Sequence, residues 1–279
     1  MANCPHCGTG NAGSAAYCNH CGLPLETAAI PATPAPAIAA SQPLSTPDRI
    51  VLVHLALFVV ILLGFSFAGS SGQHRVVERF GRPAFYLATI IWEWMLLAYV
   101  WVGMRRQRWT LAELTGGKWK TPEDVLLDLA LAGGFWIVAA VVLAAVGFAL
   151  GLAGQAQQAD TLKQIGFLAP ANLKEILLWL GLSVTAGFCE EIIFRGYLQR
   201  MFITLTRSSV LGILLSAALF GAAHGYEGAP RMIQIGVFGL MFGILAHFRK
   251  SLRPGMIAHA WHDIFSGMML HVLQRVVKP

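Results

Sequence analysis

Glu190 and Glu191 stand side by side in an apolar run, with Arg195 four residues beyond the second carboxylate. A charge at the centre of a bilayer costs about 2.5–3.5 kcal/mol on insertion scales, so such groups persist where they do chemistry or hold one another. On a helix at about 100° per residue, Glu191 and Arg195 form an i, i+4 pair, while Glu190 lies about 140° from Arg195. Glu191 is therefore the expected partner of Arg195, and Glu190 is left to face something else. Downstream, Phe220-Gly-Ala-Ala-His224 sets three small residues before a histidine, which lets another helix approach it closely. His259-Ala-Trp-His-Asp263 places His259 and Asp263 on one helix face, with His262 directed elsewhere. A lone intramembrane histidine is commonly a hydrogen-bonding group between helices. Two histidines together with Glu-Glu-Arg and an Asp mark a site. A desolvated carboxylate among them could take a proton from water. Alternatively, Glu190, His224 and His259 could ligate a catalytic Zn²⁺ with an open fourth position. Cys189 precedes the glutamates, but about 100° of helical rotation separates it from Glu190, which argues against a thiol nucleophile.

A second chemical pattern lies at the start of the chain. Cys4-Pro-His-Cys7-Gly and Cys18-Asn-His-Cys21-Gly are two CxxC knuckles with ten residues between Cys7 and Cys18. Four thiolates in two such turns supply a closed tetrahedral site for a structural Zn²⁺, each Gly permitting the tight turn. His6 and His20 then stand beside a filled site. The alternative, two disulfides, requires an oxidising compartment. A module of about 25 residues has too little core to fold unaided, so the metal supplies its folding energy. The pattern resembles the short zinc ribbons at the ends of many bacterial membrane proteins, and such a tip would suit a protein partner.

These sites need elements to position them. Of 279 residues, 56% are hydrophobic and only 12% charged, against about 25% in soluble domains, and mean hydropathy is +0.61. The fold class is an all-α polytopic membrane protein: a bundle of about seven to eight transmembrane helices plus the small zinc ribbon. Residues 1–25 form the ribbon, and 26–48, rich in Pro, Ala, Ser and Thr, a semi-extended tether. Residues 49–119 hold the first membrane helices and 120–279 the domain with the clustered ionisable residues. Apolar spans fall at about 50–69, 84–104, 124–153, 175–199, 209–225, 231–248 and 254–276, each near the ~20 residues that cross ~30 Å of hydrocarbon. The third is long enough to be two elements. Glu93 and His54, in the early spans, are expected to be hydrogen-bonding partners inside the bundle. Assigned alternately to the two faces, Lys and Arg number eleven on the side of Arg49 and eight on the other. That bias puts the N-terminus in the cytoplasm of a bacterial-type inner membrane, where thiols stay reduced. The net charge of +6 follows from these flanking residues and implies anionic lipid rather than nucleic acid as the partner.

Glu-Glu-x-x-x-Arg, Phe-x-x-x-His and His-x-x-x-Asp, in this order on successive membrane spans, resemble the CPBP family. These are membrane endopeptidases related to the type II CAAX prenyl protease and to bacteriocin-processing and immunity proteins. The likeness covers roughly residues 120–276, with Asp263 where the prenyl proteases usually have Asn. It implies that Glu190 and His224 activate water, that Glu191 locks Arg195, that His259 and Asp263 stabilise an oxyanion, and that the substrate is a peptide or protein at the membrane. A non-proteolytic scaffold or immunity protein with a partner-binding ribbon is the alternative; a transporter would call for inverted repeats, which the sequence lacks. With ~1.5 Å per residue, Glu190 and His259 lie roughly 9 Å and 6 Å below the Arg49 face and His224 roughly 22 Å, which predicts a cavity opening toward that face.

Overall fold

A computed structural model describes residues 2–4, 7–12, 20, 21, 47–68, 70–152 and 165–277. The chain divides into two compact units, Met1–Ser45 and Thr46–Pro279. His6, Cys18 and the tether from 26 to 46 lie outside the described residues.

In the first unit, β1 (Ala2–Asn3) pairs antiparallel with β2 (Gly10–Asn11). The Cys4 amide donates to Thr9 O and the Gly8 amide to Cys4 O, both at 2.9 Å. Gly8 closes this turn at φ +74°, a conformation that glycine enters without a Cβ penalty. The knuckle thereby turns Cys7 back toward Cys4.

The second unit is all-α, as the hydropathy predicts. Its described helices are α1 (Arg49–Ala68), α2 (Ser70–Arg106), α3 (Leu111–Leu114), α4 (Pro122–Ala149), α5 (Leu173–Thr206), α6 (Ser209–Ala223), α7 (Ala229–Arg249) and α8 (Arg253–Val277). By length and composition α1, α2, α4, α5 and α7 can each cross a membrane. α6 is apolar but has 15 residues, and α8 has the length but carries the His259–Asp263 motif. Every expected span falls on one of these helices, and the long third one is the single helix α4. This is a multi-pass membrane protein.

Local chemistry sets the ends. α2 is kinked at Gly81 (φ 80°), and Pro83, with its preset φ, stands where the helix resumes. The Asn172 side chain caps α5 by accepting from the Glu175 amide at 3.0 Å. α5 is the central element. It is a regular α-helix to Glu190, widens into a π-helix over Glu191–Leu198, and returns to α-helix at Gln199. All eight residues of the wide stretch are buried. The Phe194 carbonyl accepts both the Gln199 amide and Ser216 Oγ, the latter at 2.8 Å, so widening leaves it paired.

At the Arg49 end of the bundle, buried Asp128 binds Arg249 (3.0 Å), Arg253 (2.9 Å) and Trp119 Nε1 (2.8 Å). The 107–121 connection is pinned there by the Leu252 amide, which donates to Leu114 O, and by Ser251 Oγ, which donates to Thr115 O. At the opposite end, Tyr86 donates to Leu168 O, and Arg82 lies 3.6 Å from Glu175. His271 and Gln274 reach the Pro170 and Gly166 carbonyls there.

Candidate active site

The expected i, i+4 pair is present: Arg195 Nη1 donates to Glu191 Oε1 at 2.9 Å, and both side chains are 1% exposed. Arg195 also donates to Gly239 O at 3.1 Å, with its guanidinium over the Phe220 ring at 4.3 Å. The ion pair therefore braces α5 against α6 and α7. Glu191 has a second partner that its spacing does not reveal. His259 Nδ1 lies 3.1 Å from the same Oε1, so this carboxylate accepts from both Arg195 and the imidazole. On the other side of the ring, Nε2 lies 3.6 Å from Glu190 Oε2 and 3.7 Å from Asp263 Oδ2.

This convergence requires α5 and α8 to run almost backbone against backbone. Gly187 permits it: a Cβ there would sit 2.8 Å from Met256 O and 2.9 Å from Ala260 N. Gly255 clears the space that the Glu191 carboxylate fills, since a Cβ would lie 3.2 Å from Oε2. Trp179 Nε1 then donates to Asp263 O at 2.9 Å, holding the motif end of α8 to α5.

His224 is the residue just after α6, on a 3₁₀ turn that continues through Gly225–Glu227. Its Nδ1 lies 2.9 Å from Phe220 O. A carbonyl only accepts, so Nδ1 carries the proton and Nε2 the lone pair of the neutral ring. Gly221 lets α7 pass close beneath this turn, because a Cβ would meet Met232 O at 2.5 Å.

Glu190, His224, His259 and Asp263 line one cavity of about 740 Å³. That volume is in the range of small-ligand sites. Glu191 and Arg195 stand behind its wall. The cavity does not run toward the Arg49 end, as the depth argument predicts. Its lining continues through Ile165, Leu168, Tyr226, Glu227 and Leu273, all at the opposite end of the bundle. The reason is that α5 extends to Thr206 rather than 199, which sets Glu190 seven residues further from that face, about 10 Å on a regular helix. His262, expected to point away, lines the cavity with its ring 4.4 Å from Phe238. Glu93 does so too. Its signal was a carboxylate inside an apolar run, Ile-Trp-Glu-Trp, with no motif around it. Tyr226 and Glu227 follow His224 after Gly225 but carry no spacing that would single them out. His54, by contrast, is a bundle partner as expected, 3.2 Å from Tyr197 OH and 3.0 Å from Tyr99 O.

Residues 172–265 match the family model for type II CAAX prenyl endopeptidase Rce1-like proteins. The resemblance to the CPBP family is borne out over this stretch, which holds all three motifs. No curated protein and no solved structure matches the chain significantly. At the level of the family, the Rce1-like match supports a membrane endopeptidase.

Metal binding divides the two units. Among the described residues, only Cys4, Cys7 and Cys21 bring three ligand atoms within 4.8 Å of one another. Glu190, His224 and His259 are not gathered in that way. The cysteine group does fit a metal. Cys4 Sγ and Cys21 Sγ are 3.7 Å apart, close to the ~3.8 Å separating sulfurs at ~2.3 Å from a tetrahedral Zn²⁺ and far from an S–S bond of ~2.05 Å.

Proposed function

We propose that the second unit is a membrane-embedded endopeptidase of the CPBP type that cuts peptide or protein substrates at the membrane, using water activated by Glu190 and His224. The observation that carries this reading is the convergence of Glu190, His224, His259 and Asp263, from two helices and one turn, on a single cavity. Glu190 Oε2 is buried and takes no hydrogen bond from the described residues, and the His224 Nε2 lone pair is available to a water hydrogen.

In the reaction, Glu190 removes a proton from water as the water oxygen adds to the scissile carbonyl carbon. The oxyanion develops against His259 and Asp263, where donors act in surroundings poor in water. Asp263 donates to the oxyanion when protonated and orients His259 when ionised. Glu190 then returns the proton to the amine as the C–N bond breaks. Glu191 and Arg195 act from behind the wall by fixing His259. No Ser, Thr or Cys is needed as nucleophile.

The chain resides in a bacterial-type inner membrane with its N-terminus in the cytoplasm, a reading supported by the eleven-to-eight distribution of Lys and Arg. Cys4, Cys7, Cys18 and Cys21 hold a structural Zn²⁺ in the ribbon, which offers a surface to a protein partner.

The test compares protein N-termini in membranes and medium from cells carrying wild type, Glu190→Ala or His224→Ala at matched expression. Termini lost in both variants identify a peptidase and its substrate. If both variants reach the membrane folded and every terminus is unchanged, the scaffold alternative replaces this reading.

A further inference from the structure

His224 takes its place from a short piece of backbone, and that backbone is held from outside the motif. α6 ends at Ala223, so the last carbonyls of the helix and the amides of the turn that follows draw on partners beyond the helix. Ser66, near the end of α1, supplies one on each side of the histidine. Its Oγ donates to Ala222 O at 2.8 Å and accepts from the Gly225 amide at 3.0 Å. The residue is 3% exposed, so water does not compete for either bond. Inside a helix a serine hydroxyl commonly turns back to the carbonyl of the preceding turn. Here its one proton crosses to another helix. Gly225 allows the approach, since a Cβ there would lie 3.2 Å from Ser66 Oγ and 2.9 Å from the Phe67 ring. The His224 amide donates to Gly221 O and its carbonyl accepts from the Glu227 amide, both at 3.0 Å, while its ring reaches Phe220 O. Those bonds are local to the turn, whereas the Ser66 bonds tie it to α1, outside residues 172–265 and outside the three motifs.

We propose that Ser66 is a positioning residue for His224: a single hydroxyl, donor to residue 222 and acceptor from residue 225, clamps the turn and so fixes the imidazole at the cavity. The role in turnover rests on the endopeptidase reading; the clamp itself does not. Ser66 does not line the cavity, so it acts through the backbone on either side of His224 and touches no substrate. Only a side chain that both donates and accepts at one atom does this work, which serine and threonine share and alanine lacks.

Hydrogen exchange at the Gly225 amide, measured on the full-length protein in lipid, reads the clamp without any substrate. Ser66→Ala is expected to speed exchange there about tenfold and Ser66→Thr to keep the wild-type rate. Equal rates in Ser66→Ala and wild type overturn the clamp, and so does a Ser66→Thr protein that exchanges as fast as Ser66→Ala. Nitrogen NMR of the same samples, labelled at histidine, follows the ring; the His224 signal is identified by its absence from His224→Gln. It should show Nδ1 alone protonated in wild type and mixed tautomers in Ser66→Ala, and an unchanged signal overturns the link to His224. In the N-terminus comparison, Ser66→Ala lowers the yield of cleaved termini about tenfold and Ser66→Thr restores it; equal yields from Ser66→Ala and wild type overturn the role in turnover. If exchange and the imidazole signal change as expected while His224→Ala leaves all termini unchanged, the endopeptidase reading falls and the clamp stands.

Discussion

His259 Nδ1 and Glu191 Oε1 lie 3.1 Å apart, and that same oxygen accepts from Arg195 at 2.9 Å. One carboxylate oxygen thus ties the first motif to the third. Glu191 and Arg195 are both within 3% of complete burial, so the pair cannot lose one partner cheaply. Breaking a buried ion pair costs about 3–5 kcal/mol, because the remaining charge is stranded. Glu191→Gln is therefore expected to lower the thermal unfolding temperature in detergent sharply and to abolish activity as a consequence. Glu190→Ala should unfold within a few degrees of wild type. Similar unfolding temperatures for Glu191→Gln and wild type would refute the bracing role.

The crossing of α5 and α8 gives a second expectation. A Cβ at residue 187 meets the backbone of Met256 and Ala260 at 2.8 and 2.9 Å, and backbone cannot swing aside as a side chain can. Gly187→Ala is expected to destabilise by about 1–3 kcal/mol, the usual range for overpacking, and Gly187→Val by more. Because His259 is one residue before Ala260, the displacement also lengthens its contact with Glu191. Thermal unfolding of the two variants, with cleavage assayed on the same preparations, checks both effects. A Gly187→Val protein as stable and as active as wild type would show that the helices need not run so close.

Asp128 is the buried anchor at the other end. It is fully buried and bound by Arg249, Arg253 and Trp119. Asp128→Asn keeps the shape and one acceptor but leaves two guanidinium groups without their counter-charge. The expected outcome is lower stability and faster proteolytic nicking between residues 107 and 121, with the set of cleaved N-termini unchanged because the cavity lies at the opposite end. Wild-type resistance to nicking in this variant would count against the anchor.

What the sequence discloses here depends on whether a relationship is local or crosses the bundle. Glu191 and Arg195 are one helical turn apart, so their pairing follows from spacing alone, and it survives the widening of α5. The seven spans are likewise local, written in runs of apolar residues. The Glu191–His259 contact spans 68 positions and exists because Gly187 and Gly255 let two helices approach, a role that a glycine in a sequence does not announce. Glu93 is similar: its carboxylate was visible, but which face of α2 it occupies depends on how that helix rotates after the Gly81 kink. The π-helix has no residue signature, and the direction of the cavity is not legible in the sequence because Gln199 and Arg200 interrupt the apolar run while the helix continues to Thr206.

The ribbon offers a prediction independent of the membrane unit. Two sulfurs 3.7 Å apart are placed as ligands of one ion rather than as a disulfide. Cys18, outside the described residues, is the expected fourth ligand. Full-length protein purified without chelator should contain about one zinc per chain, and Cys4→Ser with Cys18→Ser should remove it. Because the cavity is built wholly from the second unit, cleavage should persist in that double variant. Zinc content measured by atomic emission decides the ligand assignment: equal content in the double variant and wild type removes it, and loss of cleavage along with the zinc would show instead that the ribbon supports the site.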